Sequence, residues 1–519
     1  MVSRRMRLGK TDTDVQFADP PWDESHSQWE DIDDRLPQNH LARQIDQAVD
    51  RLDLAFLFES YQGRGSLPLR PDLMLKITLY EMQSGKPSPA EWFRDSRESD
   101  TVKWLGFGIQ PSRSVWYEFR DRCASFLDTW NEQVLQNAVE QGFTAARHAA
   151  LDGTTMAACA SRYKTVRRET LQRREQELDE TIAQDEQGQP SEHVPRWMAK
   201  HPETRLEQRQ RYQRAEDRME QLQSQNQQRR ASKCKNPEKI RVSISDPDSA
   251  LGRDKFHVFR PLYNVQIMQD LDSPFILGYD TFNRVNDTGT LEPMLERTSQ
   301  LTGLKPKKVL ADAAYTTILD LEICQQNGVR LCAPVSENDY SERNQKKKST
   351  NQFTQLPKTE FTWLAEEQTF VCPEGHRLKL ERRTQVKRYG GRTLANFTHR
   401  CSPEHCLACL RRDECTPAPE KGRTVSRLEN EELLDAHRAW METDEAKILY
   451  RLRGQAVEHG FADMKEHRNF RCVSGRGLWR ARAQTAATVL VHNLLALLKA
   501  EQAATGKKPT TTRVLRAIT

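Results

Sequence analysis

The segment Lys307-Lys308-Val309-Leu310-Ala311-Asp312-Ala313-Ala314-Tyr315 sets a short apolar run directly before a carboxylate and then small residues. That pattern suits a buried strand that releases its acid at the carboxyl end. Working outward, YNVQIMQD (263–270) and FILGYDTF (275–282) read as strands joined by the turn LDSP. A helix is expected over 291–301, and GVRLCAPV (328–335) reads as the next strand. Upstream, a further apolar stretch ends in Ala150-Leu151-Asp152-Gly153. Strands alternating with helix imply an α/β domain built on a mixed sheet.

Other regions have different textures. Residues 1–145 carry apolar residues at helical spacing in LARQIDQAVDRLDLAFLF and PDLMLKITLYEMQ. Ser88-Pro89-Ala90-Glu91 combines a capping serine, proline in the first turn and a glutamate three residues on, which starts a helix. A second helix from Ser112 or Ser114 would carry Arg113, Arg120 and Arg122, as a helix-turn-helix reader of DNA or as a plain bundle with solvated arginines. Residues 161–233 are rich in Arg, Glu and Gln, with apolar residues too thinly spaced for a large core, so a protruding helical arm is expected. Residues 341–434 are polar, broken by Pro and Gly, and read as an insertion, whereas the chain is strongly helical from Thr443. The last residues, 504–519, read as a loose tail.

Bulk properties narrow the function. With 79 Lys and Arg against 74 Asp and Glu, any basic surface must come from local clustering. The basic amino-terminal residues lack an apolar stretch behind them, which speaks against a secretory signal and for a cytoplasmic protein. The longest apolar run, 485–500, is interrupted by His492 and Asn493 and reads as a buried helix, so no membrane partner is expected.

Three acids stand where a metal-dependent nuclease needs them. Asp152 and Asp312 each end an apolar run, and Glu458 lies in the helical stretch DEAKILYRLRGQAVEHGFADMKEHR. Two-metal phosphodiester chemistry requires hard oxygen ligands at neighbouring strand ends, and acids far apart in sequence can supply them. An aspartate at a strand end can equally be a turn or cap residue. Lys465 follows Glu458 by seven residues and returns to nearly the same helix face, so an acid and a base could both meet a phosphate. Asp246 and Asp248 in SISDPDSA read as a turn, and His492 and Asn493 as satisfied polar groups in a core helix.

Together, Asp152-Gly153-Thr154, Tyr263-Asn264-Val265-Gln266, Ala311-Asp312-Ala313-Ala314-Tyr315 and Tyr450, Arg453, Glu458 and Lys465 resemble the DDE transposases of bacterial insertion sequences. The stretch LMLKITLYEMQSGKPSPAEWFRDS is similar to the helical domain preceding the catalytic core in one subgroup. The resemblance implies a ribonuclease-H-like core with Asp152 on its first strand, Asp312 after its fourth and Glu458 on a later helix. These three would hold two magnesium ions, with manganese as a substitute, and Tyr450, Arg453 and Lys465 would grip DNA. Four residues separate Arg453 from Glu458, where the wider superfamily commonly has three. The implied organisation is a helical DNA-binding domain (1–145), a catalytic core (146–160 with 234–340 and 435–503), a charged helical insertion (161–233) and a Cys-rich insertion (341–434). The implied partners are double-stranded DNA, as terminal inverted repeats and as target, and a second copy of the chain in a homodimer; the implied location is the bacterial nucleoid.

Arg476, Arg480 and Arg482 in SGRGLWRARAQ are candidates for backbone contacts, with solvated arginines as the alternative. Cys406 and Cys409 form a metal-type pair, with Cys415 and Cys401 nearby and Cys372-x3-His376 upstream. A structural zinc on Cys372, Cys406, Cys409 and Cys415 is expected, with Cys401 or His376 in reserve and free buried cysteines as the alternative. Two other functions fit the same sequence: a domesticated, zinc-containing DNA-binding regulator without cleavage activity, and a ribonuclease-H-like nuclease that does not join strands.

Overall fold

A computed structural model describes residues 15–63, 66–188, 194–229, 234–335, 356–388 and 391–506, with the side chains of 455–460 excepted. The amino-terminal basic segment and most of the expected tail therefore lie outside the described residues.

The α/β reading holds. Five strands make the central sheet: β1 (His148–Ala157), β2 (Phe259–Asp270), β3 (Ile276–Phe282), β4 (Lys308–Leu310) and β5 (Arg330–Cys332). Their spatial order is β3-β2-β1-β4-β5, and the short strand Ala250–Arg253 extends the sheet along the start of β2. β1 and β3 run antiparallel to β2, whereas β4 lies parallel to β1 and β5 parallel to β4. This mixed sheet, with consecutive antiparallel strands followed by parallel crossovers, is the expected ribonuclease-H-like core. β2 is buried along nearly its whole length, its polar residues Asn264, Gln266, Gln269 and Asp270 included.

One hydrophobic core joins this sheet to the amino-terminal helices. Ile45, Met74 and Leu135 from those helices belong to the same buried cluster as Leu151, Ile267 and Leu310 from the sheet. The helix Leu478–Ala504 is the shared wall, since it packs on the helices Leu41–Val49, Pro71–Gln83 and Leu127–Glu140 and on β3. Its polar positions are satisfied, as expected: His492 Nε2 lies 2.7 Å from the carbonyl of Pro274, and the Asn493 amide exchanges two 2.9 Å bonds with the backbone of Ile276. Asp248 accepts from the backbone N–H of Leu478 at 3.0 Å and Asp246 from that of Gly477 at 3.2 Å, so the SISDPDSA turn caps this helix. No helix among the described residues is long and apolar enough to cross a membrane.

Ser88 and Glu91 form the expected capping box. Two arginines of the helix Arg113–Cys123 bond within the protein, while Arg113 is exposed. Arg122 donates to the Ser60 carbonyl at 2.6 Å, and Arg120 pairs with Asp121 at 2.7 Å. The charged insertion forms two antiparallel helices, Arg168–Glu186 and Pro202–Gln227, around a small core of Leu171, Leu178, Tyr212 and Met219. Arg209 braces them through Glu175 at 2.6 Å. The Cys-rich segment forms a separate five-stranded antiparallel sheet that includes the long hairpin Arg377–Lys387 and Thr393–Arg400.

Candidate active site

Asp152 lies in the middle of β1, and Asp312 follows β4. The parallel register pairs Ala150 with Leu310. Each aspartate is two residues beyond that pair, so the topology brings both to the same end of the sheet. The Asp312 carboxylate caps the turn that follows, accepting from the Ala314 N–H at 2.8 Å. The cap reading and the site reading of this residue are thus compatible.

Strand alternation puts Asp152 and Thr154 on one face of β1 and Gly153 on the other. The helix Asp444–His467 covers the first face. Arg453 Nη2 reaches Asp152 Oδ1 at 2.8 Å, and Lys465 Nζ donates to the Thr154 hydroxyl. Phe461 and Met464 are buried and anchor this helix, while Tyr450 packs on the same core. Asp152, Asp312, Arg453 and Lys465 therefore converge. The side chain of Glu458 lies outside the described residues, although its backbone belongs to this helix.

The electrostatics are those of a crowded acidic site. Burial pushes the Asp152 carboxyl up to about 6, against the pull of Arg453, and the charges of Asp312 and Asp287 push the same way as burial. Burial likewise brings Lys465 down to about 8, helped by Lys255 and Arg471. A divalent cation would relieve the repulsion among these acids, so the described donors are of a chemistry that suits magnesium. Among the described residues, however, no group of three or more His, Cys, Asp or Glu side chains could hold a metal ion.

One site neighbour, Asp287, carries no sequence motif of its own, whereas Asn264 and Gln266 belong to the Tyr263–Gln266 stretch. Asp287 accepts from Asn264 Nδ2 at 2.8 Å and from Gln266 Nε2 at 2.6 Å, beside Gly153. The sequence held a further signal for these two: Asn264 and Gln266 place two amides on one face of an otherwise apolar strand.

The remaining candidates are elsewhere. Arg480 is held by Asp121 at 2.6 Å and Arg482 by Asp280 at 3.0 Å. The Arg476 carbonyl accepts from Arg480 at 3.3 Å. Cys372, Cys401, Cys406, Cys409 and Cys415 line one cavity together with His376 and His405, whose rings stack at 4.0 Å. Backbone N–H groups donate to two of the sulfurs, His376 to Cys372 at 3.3 Å and Arg423 to Cys406 at 3.4 Å. Burial pushes the Cys401 thiol up to about 12, with Cys406 beside it adding to the effect. A wide groove runs from Ala313 and Ala314 to the Cys-rich sheet. Seven Lys and Arg side chains line it, Arg284, Lys387 and Arg388 among them, against the three acids Glu292, Glu431 and Asp435.

Two family models match the chain. One, described as a transposase DDE domain, covers residues 371–498, and the other, a transposase domain (DUF772), covers residues 30–122. The first spans Glu458 and Lys465, and the second spans the helices around the Ser88 cap. Comparison with curated proteins gives no match. These matches, and the mixed sheet, support a likeness to transposases. In these two stretches the chain is similar to the DDE transposases of insertion-sequence type.

Proposed function

We propose that the protein cuts DNA at the ends of an insertion sequence and transfers the freed strand into target DNA, using two divalent ions held by Asp152, Asp312 and Glu458. The observation that carries this reading is the convergence of Asp152, on β1, and Asp312, just after the neighbouring parallel strand β4, under a helix that presents Arg453 and Lys465. Bound magnesium would activate water, and later a 3′-hydroxyl, as nucleophile and stabilise the leaving oxygen.

The chain's own residues supply position and charge. Asp152 and Asp312 would hold the cations at one end of the sheet. Arg453 balances Asp152 in the metal-free protein and is free to turn to a phosphate once a cation takes over that role. Lys465, anchored on Thr154, offers a second cation to the DNA backbone, with Tyr450 on the same helix. The basic groove beside Ala313 and Ala314 suits a duplex leading to the acids. Arg480 and Arg482 contribute to DNA binding only by exchanging Asp121 and Asp280 for phosphates, whereas the exposed Arg476 can meet a phosphate as it stands. Two element ends must be held at once, which favours a homodimer in the active complex.

The Cys-rich insertion would carry a structural zinc on Cys372, Cys406, Cys409 and Cys415. Shared lining of one cavity and the N–H bonds to sulfur support this, although the thiols as they stand form no group ready to hold the ion.

The test is a strand-cleavage assay in magnesium on DNA carrying the sequences that flank the reading frame, with a pre-cut end supplied in parallel. Nicks at the element ends and joined products from the pre-cut end are expected, and D152N and D312N should abolish both. A protein that binds the ends without cutting them in magnesium or manganese is a regulator, and one that cuts but never joins is a nuclease; either result ends the proposal.

A further inference from the structure

Behind the face that carries Asp152, four side chains form a closed polar chain. Gln266 is the strand partner of Gly153 across the β1–β2 pair. Its Nε2 donates to Asp287 Oδ1 and to Asn264 Oδ1, each at 2.6 Å, while its Oε1 accepts from the buried hydroxyl of Tyr315. Asn264 Nδ2 closes the ring on Asp287 at 2.8 Å. Tyr315 ends the turn that Asp312 caps, and its backbone N–H bonds to the Asp312 carbonyl at 3.2 Å. Gly153 leaves the space for this arrangement: a Cβ there would sit 2.2 Å from Gln266 Nε2 and 2.3 Å from Asp287 Oδ1.

The chain therefore links β2, the strand whose backbone pairs with the one bearing Asp152, to the turn bearing Asp312 through side-chain bonds. Asp287 is its only carboxylate, and no Lys, Arg or His among the described residues forms an ion pair with it. An acceptor that holds two amides fixes both of them, and through Gln266 it fixes the Tyr315 hydroxyl. Asp287 stands on the loop before the helix Leu291–Thr302, where its carbonyl accepts from Thr290 at 3.1 Å. The loop is thereby anchored, and the carboxylate has a defined place to act from.

We infer that Asp287 is a positioning residue for the Asp152–Asp312 pair, acting through Asn264, Gln266 and Tyr315. The inference rests on the proposed two-metal reading of those aspartates. Its action is geometric: the acceptor atom keeps the amides oriented, which keeps the two acids at the separation that a shared cation needs.

The test uses the full chain and manganese alone, followed by electron paramagnetic resonance without DNA, with cleavage measured separately. D287L removes the acceptor at similar size and should weaken manganese binding and lower kcat by about tenfold or more, the range typical of residues that orient metal ligands. D287N keeps a carbonyl acceptor for the two amides and should recover most of the loss. Y315F removes one hydroxyl and should weaken manganese binding by a few-fold; it serves as the deciding variant if D287L does not fold. Folded D287L and Y315F proteins with wild-type manganese binding would overturn the inference, as would D287N as impaired as D287L. A wild-type protein whose manganese binding is insensitive to D152N would instead remove the two-metal reading itself.

Discussion

Arg453 Nη2 donates to Asp152 Oδ1 at 2.8 Å, joining the last helix of the site to the first strand of the sheet across 301 residues. Even with this partner, burial holds the Asp152 carboxyl at about 6, above its ordinary 3.8. A raised carboxyl favours the protonated form in the folded state. Stability thus falls as pH rises from about 4 to about 6, and the penalty is complete above that. Replacing Asp152 by Asn keeps an acceptor for Arg453 and removes the charge. D152N should raise the stability of the metal-free protein at pH 8 by about 1–3 kcal/mol and leave it unchanged near pH 4. Magnesium should stabilise the wild type and not D152N. Thermal melts at both pH values, with and without magnesium, check this; a D152N protein less stable than wild type at pH 8 would refute it.

Lys465 has the opposite displacement. Burial, with Lys255 and Arg471 adding to it, brings its ammonium down to about 8, so the charge that would meet a phosphate fades as pH rises through that value. The same depression costs the folded protein stability below pH 8, and this is recovered between about 8 and 10.5. DNA affinity should therefore decline between pH 7.5 and 9 in the wild type. K465R, charged throughout, should flatten that decline, and K465M should bind weakly at every pH. Fluorescence anisotropy with a labelled duplex at constant ionic strength reads this directly, and an identical pH profile for wild type and K465R would count against Lys465 as a DNA contact.

The position of Asp312 after a strand was legible because it follows an apolar run, but Asp152 sits in mid-strand, because β1 continues through Gly153 to Ala157 in its pairing with β2. The mixed α/β class followed from the alternation of strands with helix, whereas the strand order came only with the pairing. Asp287 was not legible: it stands in the loop Arg284-Val285-Asn286-Asp287-Thr288, where an aspartate ordinarily means a turn. Its place beside Gly153 depends on the pairing of β1 with β2, a contact more than a hundred residues away in sequence. Arg480 and Arg482 looked like free cations for the same reason, because Asp121 and Asp280 come from distant elements. The boundary between the helical region and the core was equally hidden. Leu478–Ala504 reads as one apolar helix, and only its packing shows that it serves both.

The cysteine cavity makes a quantitative prediction. If Cys372, Cys406, Cys409 and Cys415 hold zinc, purified protein should contain about one zinc per chain, and C406S or C409S should lose it. Because a structural site contributes its binding energy to folding, a chelator should lower the melting temperature of the wild type and leave C406S unaffected. Elemental analysis and melts with and without chelator measure both effects. Retention of a full zinc complement by C372S would move the fourth ligand to Cys401 or His376, and zinc-free protein of unchanged stability would return all five thiols to an ordinary buried role.

Asn493 closes the outer edge of β3. Its Oδ1 accepts from the Ile276 N–H and its Nδ2 donates to the Ile276 carbonyl, both at 2.9 Å, in a helix position with no exposure. The side-chain amide thus replaces the neighbouring strand that an edge position lacks. A leucine of similar size would fill the volume but leave one buried donor and one buried acceptor unpaired, each costing about 1–3 kcal/mol. N493L should accordingly lose about 2–5 kcal/mol by urea denaturation. The exchange rate of the Ile276 amide separates this cause from a packing defect: it should rise more in N493L than the rates of amides in the centre of β2. A loss below about 0.5 kcal/mol, the range of an unremarkable surface change, would mean that the edge is satisfied by another route.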